Sequence, residues 1–273
     1  MITFFEIWVS IKYLLPKTRE KFFSIITIFS FVGIALGVAT LIIVMSVMNG
    51  FREELTSKIL GVNGHLKIQP INNFKINNND KISKLIKNNI DDLNVNKVLI
   101  GQGLINFNGF STGVLIKGID GEYFKERNIF KEKINFKNLK KFNNNQGVFV
   151  GEKLRDKLNL KIGDSINIIS PDSYETIFGN IPRTANFNII GFFSIGMYEY
   201  DSSLVYMPLK LMQDFLNVDN QIDFFEIQIN NFDDLNRINN EISKLLPKYF
   251  KVVDWRKLNP SLFNAIEVER NVM

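Results

Sequence analysis

A charge-free apolar run, Phe22 to Met48, constrains this chain more than any other feature. As a helix rising about 1.5 Å per residue it reaches roughly 40 Å. The apolar core of a bilayer is roughly 30 Å thick, so the run spans it with some tilt. No other segment of the 273 residues is both as long and as apolar. The fold class that follows is α+β. One N-terminal transmembrane helix is extended into a stalk and is followed by a mixed α+β periplasmic domain. The expected divisions are an interfacial segment 1–21, a span 22–48, a stalk helix 49–62, a domain 63–255 and a further helix 256–273.

Charge sets the orientation. Lys12, Lys17, Arg19 and Lys21 precede the span, against Glu6 and Glu20. A basic flank stays in the cytoplasm, which puts the body after Met48 outside the inner membrane. A cleaved signal peptide is the competing reading. It fits badly, because the run is about twice a normal apolar region and no small-x-small site ends it. Residues 4–15 mix aromatic and aliphatic side chains with Glu6, Ser10 and Lys12 before Pro16. That pattern predicts a short helix in the headgroup plane, anchored by Trp8 and Tyr13. It serves either as a collar or as a contact for a cytoplasmic partner. The net charge of +5 is otherwise too dilute and too mixed to argue for nucleic acid, and no nucleic-acid partner is expected.

Ser30, Gly33, Gly37 and Thr40 form a stripe of small residues at helical spacing, the arrangement that lets a second helix approach closely. Past Thr40 that surface turns to Val44, Met45, Val47, Met48 and Phe51. Such side chains suit either plain lipid or a variable apolar ligand. The helix then continues through Arg52-Glu53-Glu54-Leu55 to Leu60-Gly61, with Glu54 and Lys58 at i,i+4. A stalk of this kind would couple motion in the bilayer to the body.

In the body, strands and helices mix without regular βαβ alternation. Lys97–Phe107 and Ser111–Lys117 read as a hairpin about Asn108-Gly109. Helices are expected at Glu152–Leu158, Pro208–Leu216 and Asp233–Leu246, and a strand at Phe224–Ile229. Residues 110–146, rich in Gly, Asn and Lys, suggest a sub-boundary. Pro171–Pro182 reads as a long loop between two strands, with apolar Tyr174, Ile177, Phe178 and Ile181 at its tip. It either docks another protein or folds back on its own domain.

Catalytic chemistry is not indicated. His65 is the only histidine and there is no cysteine, so a His-based triad, a thiol nucleophile or a multi-His metal site cannot be assembled. No phosphate-binding Gly-x-x-x-x-Gly-Lys-Ser/Thr loop occurs. The reading is a non-catalytic chain with no cofactor and no metal.

Several blocks together resemble the permease subunits of lipoprotein-releasing ABC transporters, the LolC/LolE type with a MacB-like periplasmic domain. They are Gly33-Ile-Ala-Leu-Gly37-Val-Ala-Thr, Ser46-Val-Met-Asn-Gly-Phe-Arg-Glu-Glu-Leu55, Gly163-Asp164, Asn180-Ile-Pro182, Met197-Tyr-Glu-Tyr-Asp201 and Val205-Tyr-Met-Pro208. The ending Trp255-Arg256…Asn259…Phe263…Ala265-Ile266…Glu269-Arg270 adds to them. The resemblance covers essentially the whole chain.

It implies a four-span inner-membrane permease, of which this chain is the N-terminal half, with residues 256–273 leading toward a second span. The implied partners are a second permease subunit, a separate cytoplasmic ATPase, an acylated lipoprotein substrate, membrane lipid and a periplasmic lipoprotein carrier. It further implies an acyl-chain cavity lined by Val44, Met45, Met48 and Phe51. The carrier-docking loop would be Pro171, Tyr174, Ile177, Phe178, Ile181, Pro182 and Arg183. Basic surface beside that loop is thin, with Asn167 and Ala185 near Arg183. The rival functions are a related permease that exports another substrate or regulates a cell-wall hydrolase, a single-span periplasmic sensor, and a structural anchor.

Overall fold

A computed structural model describes residues 4–14, 21–72, 74–77, 81–131, 134, 136–176, 179–258, 260–261, 263–264 and 267–268. The chain divides into two compact units. One reaches from the N-terminus to Leu55, and the other spans Thr56–Val268.

The first unit is helical. Helix α1, Phe4–Leu14, keeps Trp8 half exposed with the Lys12 Nζ 4.3 Å above its ring. Pro16 and the rest of 15–20 lie outside the described residues, as does the side chain of Tyr13. Helix α2 runs from Lys21 to Asn63, 43 residues without a break. It continues past Met48 through Asn49-Gly50 into the charged turns, because nothing there removes a backbone donor as a proline would.

The second unit is built on strands. In chain order it contains β1 (Leu66–Pro70), β2 (Ile76–Asn77), α3 (Lys81–Asn89), β3 (Leu93–Phe107) and β4 (Phe110–Ile119). Three short helices follow: α4 (Glu122–Lys125), α5 (Asn128–Lys131) and α6 (Phe136–Asn143). Next come β5 (Val148–Gly151), α7 (Glu152–Leu158), β6 (Ser165–Thr176), β7 (Gly179–Phe193), α8 (Tyr198–Ser203) and β8 (Leu204–Pro208). The chain continues as α9 (Leu209–Leu216), β9 (Gln221–Ile222), β10 (Phe224–Ile229), α10 (Leu235–Leu245), β11 (Phe250–Asp254) and α11 (Trp255–Leu258).

Strand β3 organises the domain. Its first half, Leu93–Val98, pairs antiparallel with β10, which leads on through β1 to β11 as an open wing. Its second half, Leu99–Phe107, pairs antiparallel with β4. The order then runs β4-β8-β5-β7-β6, and Leu104–Asn106 of β3 pair with Asn167–Ile169 of β6. The second half of β3 therefore closes a six-stranded barrel, which leaves those strands no free edge along the paired stretch.

The β3–β4 hairpin turns at Asn108-Gly109, with φ of 49° and 83°. Positive φ at both residues is what a tight hairpin of this hand requires. The described residues of 110–146, where the sequence suggested a sub-boundary, all belong to the Thr56–Val268 unit. Strand β4 pairs with β3 over Phe110–Gly118 and with β8 over Leu115–Ile119, and α4–α6 seal one side of the barrel. The aromatic content is used there. Phe124 lies 5.2–5.3 Å, centroid to centroid, from Phe130, Phe142, Phe149 and Tyr206, edge to face. On another side Met212 of α9 packs over Gly118, where a Cβ would stand 2.6 Å from its Sδ. His65 is buried and structural: its Nδ1 accepts the Ile229 N–H at 3.0 Å, tying β10 to the residue before β1.

Candidate functional site

Three features stand out: the apolar surface of α2, a β-ribbon arm, and the seat that holds the C-terminal end of α2.

On a helix of 3.6 residues per turn, Ser30, Gly33, Gly37, Thr40, Val44, Met48 and Phe51 fall within an arc of about 80°, with Met45 beside it. The small stripe and the large apolar stripe are thus one continuous face that changes in size along its length. A Cβ placed at Gly33 or Gly37 meets nothing within 4 Å. The Thr40 hydroxyl donates to the Leu36 carbonyl at 2.8 Å, so it presents a methyl outward. Val44 and Phe51 are 52% and 58% exposed, and Met45 and Met48 are half-buried. An apolar surface this continuous is not sustained in water; it calls for lipid, another helix or an apolar ligand. Among the described residues this is the one helix long and apolar enough to cross a membrane. The first charge beyond the run, Arg52, donates to the Asn49 side chain one turn back.

The loop expected over Pro171–Pro182 is instead the outer part of a long hairpin. β6 and β7 stay paired to its end: Ser173 faces Pro182, Tyr174 faces Ile181, and Thr176 faces Gly179. The register shifts between Ser170 and Ser173, at Pro171. A bulge is where a strand accommodates a residue that has no N–H to give. Pro171 and Pro182 are exposed, Ile181 is 46% exposed, and Arg183 is half-buried opposite Ser170. Asn167 bonds Asn186 at 2.8 Å across the base of the arm. The side chain of Tyr174, and Ile177 and Phe178 altogether, lie outside the described residues. A Pro- and polar-rich segment reads as a loop because pairing that persists through a bulge leaves no alternation to detect.

The seat was not anticipated from sequence. Gly64, at φ 66°, ends α2 and returns its N–H to the Leu60 carbonyl at 2.9 Å. A Cβ at Gly64 would stand 2.7 Å from the Glu226 Cγ, so only glycine fits. The three carbonyls of the last turn then meet buried donors. Arg127 Nη1 donates to Gly61 at 2.8 Å and to Leu60 at 3.4 Å, and Lys117 Nζ donates to Val62 at 2.7 Å. The Tyr123 hydroxyl also donates to the Val62 carbonyl. Glu226 pairs with Lys117 Nζ at 2.7 Å and with Arg127 Nη2. All three charged side chains are at most 4% exposed. Farther round, Asn63 bonds the Tyr200 hydroxyl at 2.6 Å and Lys58 reaches the Gly196 carbonyl at 3.3 Å.

Electrostatics explain why these charges tolerate burial. Burial raises the Glu226 carboxyl, but Lys117 and Arg127 outweigh it and hold the group below its usual range. Burial lowers Lys117 to about 8, with Glu226 opposing. Both partners are therefore charged at neutral pH. Two cations face one carboxylate, and the remaining negative pole is the carbonyl end of α2, equivalent to about half a charge. Lys117 lies in the run Val-Leu-Ile-Lys-Gly-Ile of β4, and Glu226 in Phe-Phe-Glu-Ile-Gln-Ile of β10. A lone charge inside an unbroken apolar strand was the available signal, since such groups are rarely buried unless paired.

With this geometry in place, comparison with known proteins is informative. The chain is 28% identical over 275 residues to the lipoprotein-releasing system transmembrane protein LolC of Neisseria meningitidis, covering 98% of this chain and 65% of that protein. It is 29% identical over 281 residues to LolC of Buchnera aphidicola from Acyrthosiphon pisum, covering 98% and 66%. With LolE of Haemophilus influenzae it shares 25% identity over 274 residues, covering 97% and 65%. The chain thus spans about two-thirds of the length of these relatives. The periplasmic region of MacB from Actinobacillus actinomycetemcomitans superposes with a TM-score of 0.47 at 14% identity, over 75% of this chain and 94% of that one. The model of the MacB-like periplasmic core domain matches residues 27–245, and the chain belongs to that family.

Proposed function

We propose that this chain supplies the first span and the periplasmic domain of an ABC-transporter permease that extracts lipoproteins from the bacterial inner membrane. The observation that carries the reading is similarity to LolC proteins through 98% of the chain, across the helix and the domain alike. The permease is a non-catalytic subunit, and a separate cytoplasmic subunit hydrolyses ATP. The basic N-terminal flank stays in the cytoplasm and the strand-built domain lies in the periplasm.

The face of α2 divides the labour. Ser30, Gly33, Gly37 and Thr40 pack against a helix of this or a second permease subunit. Val44, Met45, Met48 and Phe51 line the cavity that receives the acyl chains. Each methylene removed from an apolar environment costs about 0.8 kcal/mol, so a three-chain lipoprotein needs a matching apolar surface before it leaves the bilayer. The arm, with Pro171, Ile181, Pro182 and Arg183 among its described residues, docks the periplasmic carrier together with Tyr174, Ile177 and Phe178.

The test is reconstitution of the complete permease with its ATPase and partner subunit in liposomes holding an acylated lipoprotein. ATP-dependent transfer of the lipoprotein to a soluble carrier is expected. A complex that hydrolyses ATP and transfers none, while exporting another class of substrate, would replace this reading with that of a related exporter.

A further inference from the structure

We propose that Lys117, Arg127 and Glu226 are positioning residues that seat the carbonyl end of α2 in the barrel, and that the seat is electrostatically complete only with that helix end in place. The proposal stands on geometry; its consequence for transport rests on the permease reading above.

The helix is held by its backbone. Gly61 and Val62 offer carbonyls that have no partner further along the helix, and the donors they meet are cationic, buried and supplied by β4 and the α4–α5 connection. Such a contact is independent of the side chains on α2, yet it is directional, since only a C-terminal helix end presents several converging carbonyls. Counting charge gives the second half of the argument. In the direct contacts of the described residues Lys117 and Arg127 exceed Glu226 by one positive charge, and Lys67 adds positive charge nearby. Nearby His65 is held neutral by burial, its pKa lowered to about 4, and it compensates nothing. Withdrawing the helix end would leave two buried cations and one carboxylate, which is costly. The last turn of α2 therefore stays with the barrel.

The charge count makes a prediction that a generic core ion pair does not. Glu226→Gln removes the carboxylate that holds the proton on Lys117, so the group either carries an excess of two or loses that proton, whereas Glu226→Gln combined with Lys117→Met keeps Arg127 alone facing the helix end, an excess of one. In the complete permease in lipid nanodiscs, hydrogen exchange at Leu60–Leu66 reads the seat, and exchange in β5 and β8 reads the barrel. For Glu226→Gln, Leu60–Leu66 should exchange about tenfold faster while β5 and β8 hold. The double variant should return to within about threefold of the parent. Lys117→Met alone should raise exchange about threefold at the same residues, because Val62 keeps only the Tyr123 hydroxyl. A double variant as fast as Glu226→Gln, equal acceleration across the barrel, or no local effect of Lys117→Met would each overturn the proposal. Should Glu226→Gln fail to fold, a folded double variant still supports the charge count, and Lys117→Met decides the seat. In the reconstituted complex, lipoprotein transferred per ATP should fall in parallel with lost protection. A parent complex that transfers nothing refutes the permease reading and leaves the exchange result standing.

Discussion

The two ends of α2 solve opposite problems with the same backbone. From Ile25 to Val44 the side chains are exposed and mostly apolar, and the helix supplies its own hydrogen bonds. At Ile59, Leu60 and Val62 the side chains are buried, and the final carbonyls are met by ionised groups. A segment that satisfies every backbone group internally suits hydrocarbon. A helix end that cannot do so is placed where cations can finish it. The contrast teaches that one end can change its neighbours while the other cannot be left without them.

Breaking the buried end should have the largest effect. Gly64→Val forces a β-branched residue to φ 66° and against the Glu226 Cγ, and should cost about 4 kcal/mol in thermal unfolding of the domain. Acid is the next lever. His65 has its pKa lowered by burial to about 4, so folding favours the neutral ring. That contribution is complete above the ordinary value of about 6.5 and is lost as pH falls from there toward 4. Its full size is about 3 kcal/mol, and His65→Gln should flatten that part of the stability-versus-pH curve. Changing the exposed face should act on transport without touching domain stability. Met48→Glu should reduce lipoprotein release about tenfold while the unfolding midpoint moves by less than about 0.5 kcal/mol equivalent. The smallest effect belongs to the arm, where Ile181→Ser should weaken carrier binding by about 1 kcal/mol in a titration and leave release into detergent unchanged.

The sequence reading succeeded where local rules dominate. The span announces itself through length and absence of charge, the β3–β4 hairpin through Asn108-Gly109, and α7 through the amphipathic Glu152–Leu158. Closure of the barrel was not legible, because Leu104 and Ile169 lie far apart in the chain and no local pattern records their pairing. The seat was hidden for the same reason: Lys117, Arg127 and Glu226 come from three separate segments. Pro171 made the arm look like a loop, since a proline in a strand argues against pairing unless a bulge accommodates it. On α2, helical geometry placed Val44, Met48 and Phe51 in line with the small residues, but what covers that line is a property of the assembled membrane complex.

The most direct test of the account is site-specific photo-crosslinking in the complete permease in membranes, with the probe placed at Met48 on the stripe and at Ile42 on the opposite side of α2. The account predicts an adduct with the lipoprotein at Met48 that requires its acyl chains, and only lipid adducts at Ile42. Equal lipoprotein adducts at both positions, or none at Met48 while release proceeds, would contradict it.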